Sequence, residues 1–143
     1  MDGLSAAASV IAVLQISGQA FDLCRAYYLE VKEARKDIQR LRDEVTSLND
    51  VLTNVVDLAE DQGPAKRSIL SILNQHDGPV QQCQQALAGL IAKLEFGQRK
   101  NKMNQFGLRA LKWPLTSKDV EKLLVTIGRH KATFTLALTA DHM

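Results

Sequence analysis

Two cysteines and three histidines are the side chains in this 143-residue chain best suited to nucleophilic, acid–base or metal chemistry. Cys24 and Cys83 each sit in an apolar, helically spaced neighbourhood, which marks them as buried thiols in a reducing compartment. His76 lies beside a Gly-Pro turn, His130 falls in the last helical run, and His142 is in the tail. No Cys/His spacing matches a zinc site. The carboxylates are scattered over helix surfaces, and neither a glycine-rich phosphate loop nor a Gly-x-Ser-x-Gly turn occurs. The expectation is a protein that is not an enzyme and that carries no metal and no cofactor.

What remains is a chemistry of surfaces. From Gly3 to Phe21 there is no charged residue, and Leu4, Val10, Ile11, Val13, Leu14 and Ile16 are strongly apolar. As a helix this stretch reaches about 28 Å, close to the thickness of a bilayer core. It is rich in Ala and Ser and includes Gln15, Ser17, Gly18 and Gln19, so it suits burial in protein as well as lipid. Asp2 stands where a signal peptide would carry basic residues. The opposite property appears between Lys93 and Lys112: Lys93, Arg99, Lys100, Lys102, Arg109 and Lys112 face a single acid, Glu95. Arg99, Lys100, Lys102, Arg109 and Lys112 form a candidate patch for anionic headgroups, or simply a solvated loop. The net charge of +2 and the 5% aromatic content argue against a nucleic-acid partner.

The elements that position these surfaces are helices. The chain is 45% apolar, mostly Leu, Ile, Val and Ala, with three prolines and no convincing alternating strand pattern. A first helix starts at Asp2, with Leu4, Ala7, Ala8, Ile11, Leu14, Phe21 and Cys24 as its apolar positions and Gly18 as a kink or weak point. The second helix is the clearest: Val31, Ala34, Ile38, Leu41, Val45, Leu48, Leu52, Val55 and Ala59 recur in steps of three and four. That seam serves an intramolecular bundle or an intermolecular coiled coil equally well. Gly63-Pro64 and Gly78-Pro79 each end one segment and begin the next, the first short and carrying Ile69, Ile72 and Leu73, the second running through Val80, Cys83, Leu87, Leu90, Ile91 and Leu94. Glutamines 81, 82, 84 and 85 read as a solvated face. Gly97, Gly107 and Pro114 break the stretch up to Leu115, leaving room for a short helix from Met103 to Lys112 with Phe106 and Leu111 inward. Thr116 and Asp119 then form a capping box, with Leu115 and Val120 as its staple. The expected architecture is all-α, four-helix-bundle-like with one or two additional short helices, in a single domain over residues 1–143.

Several segments, in this order, resemble a known family. The opening MDGLSAAASVIAVLQ, then Glu30 to Ala34 and Ile38 to Leu48, then Leu111-Lys112-Trp113-Pro114-Leu115, Val120 to Leu124 and Lys131 to Leu138 are similar to fungal HeLo-like N-terminal domains of STAND/NLR-type proteins. The resemblance implies a bundle similar to the killer bundle of mixed-lineage-kinase-like pseudokinases, and a role in regulated cell death or non-self recognition. It implies self-association into a homo-oligomer, membrane lipids, anionic ones above all, as partners, and a nucleotide-binding or amyloid-motif regulatory module as a further partner. In that picture Leu4, Val10, Ile11, Val13, Leu14 and Ile16 insert into a membrane. The location expected is the cytoplasm, with relocation to the plasma membrane on activation. No nucleotide-binding motif or amyloid repeat occurs in these residues, which suits a domain excised from a larger receptor or a small stand-alone protein. The other expectation, of a different class, is a protein-interaction module without membrane activity, working through the seam at Val31, Ile38, Leu41, Val45, Leu48 and Leu52 or a neighbouring surface.

Overall fold

Steps of three and four residues recur in every long helix of the computed structural model. It describes residues 3–60, 71–73, 75, 77–103 and 112–140, with side-chain surroundings for 8–58, 71–73, 75, 77–99 and 112–139. Helix α1 spans Gly3–Glu30, α2 Arg35–Glu60, α3 Pro79–Met103 and α4 Ser117–Ala140. Residues 71–73 are also helical, and no strand occurs among the described residues. The protein is an all-α, four-helix bundle. Gly63, Pro64, Ile69 and the expected short helix with Phe106 and Leu111 lie outside the described residues.

The core is built from one ladder per helix. On α2, Ile38, Leu41, Val45, Leu48, Leu52 and Val55 are all buried, each at most 1% exposed. On α3 the ladder is Val80, Cys83, Leu87, Leu90 and Leu94, and on α4 it is Val120, Ile127, His130 and Phe134. Helix α1 contributes Val10, Val13, Ser17, Ala20, Cys24 and Tyr27. This is not the face its largest aliphatic residues suggest: Ile11 is 37% exposed and Leu14 only packs at the margin. The seam of α1 is narrow because its middle rungs are small, and small rungs let backbones approach.

Helix α1 packs on α2 and α3, and α4 closes the bundle against the same two. Polar contacts fix the directions. Tyr27, near the end of α1, donates its hydroxyl to the Leu94 carbonyl of α3 at 2.6 Å. Arg40, near the start of α2, meets Glu121, near the start of α4, at 2.6 Å. So α1 and α3 run parallel, as do α2 and α4, and the α1–α2 joint shares an end of the bundle with the α3–α4 link.

Local chemistry sets the boundaries, with two corrections to the sequence reading. Val31 and Ala34 are not part of α2. Helix α1 runs unbroken through Gly18 to Glu30, and Ala34 turns the chain in the left-handed region (φ 57°) before α2 begins. Its carbonyl accepts from Ile38 N–H at 3.0 Å. Val31, in the joint, still plugs the core at 2% exposure, whereas Ala34 is exposed. Nor does Gly97 break a helix: α3 continues through it to Met103. Gly97 is there because a Cβ would lie 2.4 Å from the Tyr27 hydroxyl and 3.2 Å from Pro114 Cγ.

The remaining starts follow their signals. Gly78 caps α3, with Pro79 in the first helical position and Gln82 N–H bonded to the Gly78 carbonyl at 3.0 Å. Gln81 Oε1 accepts from Asp77 N–H and Gln82 Nε2 donates to the Asp77 carbonyl, so these two glutamines lace the turn rather than merely face water. At α4 the capping box is complete: Asp119 N–H donates to Thr116 Oγ1 at 3.0 Å and Thr116 N–H to Asp119 Oδ2 at 3.1 Å. Leu115 and Val120, the staple, are buried at 6% and 0%. The Thr116 backbone bond, more than any other contact, holds the Asp119 carboxyl below its usual range.

Candidate functional site

The residues expected to enter a membrane do not share one face. Val10 and Val13 are rungs of the core, fully buried. Leu14 and Ile16 pack at its edge, and Ile11 looks outward. Leu4 lies on α1, with its side chain outside the described surroundings. On the solvent side α1 presents Ala8, Ser9, Ile11, Gln15 and Gln19, all exposed. Thus a half-exposed helix carries no charge until Asp22. Helix α2 carries charged residues along its whole exposed face, whereas α3 carries none before Lys93 and α4 none after Lys131.

A buried polar clasp holds α1 to α2. Ser17, fully buried, donates its hydroxyl to the Leu14 carbonyl at 2.7 Å and accepts from Asn49 Nδ2 at 2.7 Å. A hydroxyl in an apolar interface is costly unless it is hydrogen-bonded, and here it both donates and accepts. Asn49 supplies one of them from α2, which ties the register of the two helices.

Cations collect at the end where α1 meets α2. Every described lysine and arginine except Arg129 and Lys131 lies toward that end. Tyr28 stacks between the guanidinium groups of Arg35 and Arg42, 4.8 and 4.7 Å from the ring centre. Arg40 bridges Glu121 and, at 3.7 Å, Asp37, whose carboxylate also accepts from Ser117 Oγ. The bond to Glu121 raises the pKa of Arg40 and lowers that of Glu121. Of the expected headgroup residues, Arg99 and Lys112 are exposed at this end. Lys100 and Lys102 follow Arg99 on α3 with side chains outside the described surroundings, and Arg109 lies outside the described residues.

The seam residues Val31, Ile38, Leu41, Val45, Leu48 and Leu52 are consumed within the chain. An intermolecular coiled coil through them would require opening the bundle. What α2 and α4 leave open is a shallow groove on their outer side, lined by Ser47, Val51, Gly128, Ala132, Leu136 and Thr139. Leu136 stands out at 70% exposure and Val125 at 59%. Glu44, on the inner edge of this side, approaches Lys131 Nζ at 2.5 Å, an ion pair rather than a well-directed hydrogen bond.

Buried titratable groups serve packing. Burial pushes the thiols of Cys24 and Cys83 up to about 12, and both are free. Burial lowers the pKa of His130, with a smaller push from Arg129. Among the described residues no group of three or more His, Cys, Asp or Glu is placed to hold a metal ion. Among them, too, no helix is long and apolar enough to cross a membrane.

Sequence reasoning passed over Tyr27 and the clasp partner Asn49. The signal was present as a strict heptad through 10, 13, 17, 20, 24, 27 and 31, disguised by its small and polar members. No curated protein and no solved structure matches the chain. A family model does, over residues 1–143, and the chain accordingly belongs to the family described as pigment biosynthesis cluster protein PigL N-terminal.

Proposed function

We propose that this domain is a cell-death or immune-signalling helical module of the HeLo-like kind, acting by oligomerisation and by passing α1 from the bundle to a membrane. The observation that carries this is the outer face of α1 from Ala8 to Gln19, which is exposed and carries no charge. A helix hydrophobic all round belongs inside protein or lipid, and α1 comes nearest to that in its charge-free first two thirds. In a lone copy α1 has only half of such a surrounding. Its inner face is held through Val10, Val13, Ala20, Cys24 and Tyr27 and by one polar clasp. The cations gathered at the far end of α1, Arg99 and Lys112 among them, suit an anionic surface, each worth about 1 kcal/mol near such a membrane. Clustering raises the local concentration of α1 and shifts the balance between bundle and bilayer.

The test is dye release from anionic vesicles bearing many tethered copies. Ile11→Glu is the informative variant, because Ile11 faces solvent and its replacement spares the core. Wild type should release dye and Ile11→Glu should not. Equal release from both removes α1 from the mechanism.

A second reading, an interaction module without membrane activity, is favoured by the open α2–α4 groove. It predicts association in solution and no sedimentation with vesicles.

A further inference from the structure

Helix α2 starts without the chemistry that starts α3 and α4. Its first intrahelical bond, from Ile38 N–H, ends on the Ala34 carbonyl, so an alanine holds the cap position. Alanine lacks the side-chain acceptor that serine, threonine or aspartate brings there. The same residue sits at φ 57°, a left-handed conformation that strains an alanine and costs glycine almost nothing. The links into α3 and α4 carry Gly78-Pro79 and Pro114, whereas Val31 to Ala34 contain neither glycine nor proline. Lys32, Glu33 and Ala34 are instead good helix formers. Local preference at this joint therefore runs against the bend.

The seam also crosses the joint in step. On α1 it ends at 24, 27 and 31, on α2 it begins at 38, 41 and 45, and position 34 joins them in the same alternation of three and four. One heptad register runs from Val10 to Val55, and every member of it except Ala34 is buried. A joint that had only to reverse the chain has no need to keep that phase. Arg35 holds the bend. Its guanidinium donates to the Tyr28 carbonyl at 3.2 Å and stacks on the Tyr28 ring. In an unbroken helix that carbonyl would accept from Lys32 N–H.

We propose that the α1–α2 joint is a conformational switch: when α1 leaves the bundle, Val31 to Ala34 become helical and α1 and α2 join into one straight helix. The inference rests on the release of α1 in the proposed function and supplies its geometry. Helix α2 stays packed on α4, and α1 projects beyond the end of the bundle where the cations collect. Its uncharged first two thirds are then carried farthest from the bundle, past the surface that those cations meet. The cations thus lie at the end from which the straightened α1 emerges.

Pulsed spin-label distance measurement tests this, with labels at Gln15→Cys on α1 and Thr53→Cys on α2, both exposed positions. The labels are attached in buffer, where native Cys24 and Cys83 are buried. Unlabelled copies are added in excess, so that each distance lies within one chain. In buffer the labels should be close, on helices whose axes lie about 10 Å apart. On anionic vesicles crowded with tethered copies a population near about 57 Å should appear, the rise of continuous helix from residue 15 to residue 53. Ala34→Gly relaxes the left-handed turn and weakens a helix through it. It should lower the ratio of long to short distances at least about tenfold, with no fall in the urea midpoint. Arg35→Ala, which frees the Tyr28 carbonyl, should raise that ratio. Distances spread broadly between the two values would mean that α1 leaves on a joint that does not straighten, which overturns the switch and leaves the membrane reading standing. A long population indifferent to Ala34→Gly also overturns it. Distances that stay short on crowded anionic vesicles overturn both.

Discussion

Gly97→Ala should destabilise this domain, and Tyr27→Phe should reverse the sign. In an ordinary helix interior the replacement gains about 1 kcal/mol, because alanine restricts the unfolded chain and glycine does not. Gly89 and Gly18, where a Cβ meets nothing within 4 Å, should show that gain. At Gly97 the new methyl would sit 2.4 Å from the Tyr27 hydroxyl. Tyr27 cannot swing aside: it is fully buried, bonded to the Leu94 carbonyl at 2.6 Å, and edge-on to Trp113 with ring centres 5.2 Å apart. Overpacking costs about 1–3 kcal/mol, and losing the hydroxyl bond costs about 1 more. Net destabilisation is about 1–3 kcal/mol, which at a urea slope near 2 kcal/mol/M lowers the midpoint by about 1 M. Removing the hydroxyl first removes the severe collision and leaves only the 3.2 Å approach to Pro114 Cγ. In the Tyr27→Phe background Gly97→Ala should therefore be neutral or slightly stabilising, a coupling of about 2 kcal/mol across the double-mutant cycle. Urea unfolding of the four proteins, with Gly89→Ala as the reference, measures it. If Gly97→Ala stabilises wild type as much as Gly89→Ala does, glycine is not required by tertiary contact and the packing account of the α1–α3 joint is wrong.

Three other outcomes follow from the same geometry. Ser17→Ala and Asn49→Ala should each cost about 1–2 kcal/mol, and the double variant clearly less than their sum, because either change already breaks the clasp; additive urea midpoints would mean the two side chains act independently. The folded pKa of His130 lies below the ordinary 6.5, so the unfolded chain binds a proton first as the pH drops. His130 thus supports stability fully above about pH 6.5 and loses that support as the pH falls through the lower, folded value; His130→Leu should flatten the fall between pH 7 and 5, and identical pH slopes would contradict it. Both thiols should resist a thiol reagent in the native state and react together once the chain unfolds, given a pKa near 12 and full burial.

Much of the fold could be read along the chain because its signals are local. The α2 ladder from Ile38 to Val55 repeats without interruption, the box at Thr116 and Asp119 needs only three residues, and Gly78-Pro79 acts within one turn. What escaped depends on residues far apart. Gly97 looks like a helix breaker until Tyr27, whose hydroxyl crosses 67 positions to reach Leu94, occupies the space a side chain would need. The inner face of α1 was misjudged for a related reason. Size and hydropathy favour Ile11 and Leu14, but beside the expected Cys24 the bundle selects Ser17 and Ala20 for close approach and satisfies the serine from Asn49 on another helix. Ala34 fitted the apolar period and yet turns the chain, since a period does not reveal which residue takes a positive φ. The candidate surfaces were legible only as composition: the uncharged stretch of α1 was plain, whereas the division into buried Val10 and Val13 and exposed Ile11 required the neighbouring helices.

The claim on which the functional account turns is that α1 can leave its seam for lipid. Cys24, buried in that seam, reports on it directly in a Cys83→Ala protein through its rate of maleimide labelling. The account predicts slow labelling in solution and on neutral vesicles, and a marked acceleration when many copies are held on anionic vesicles. Labelling that stays as slow on crowded anionic vesicles as in buffer would show that α1 remains in the bundle, and would contradict the membrane mechanism.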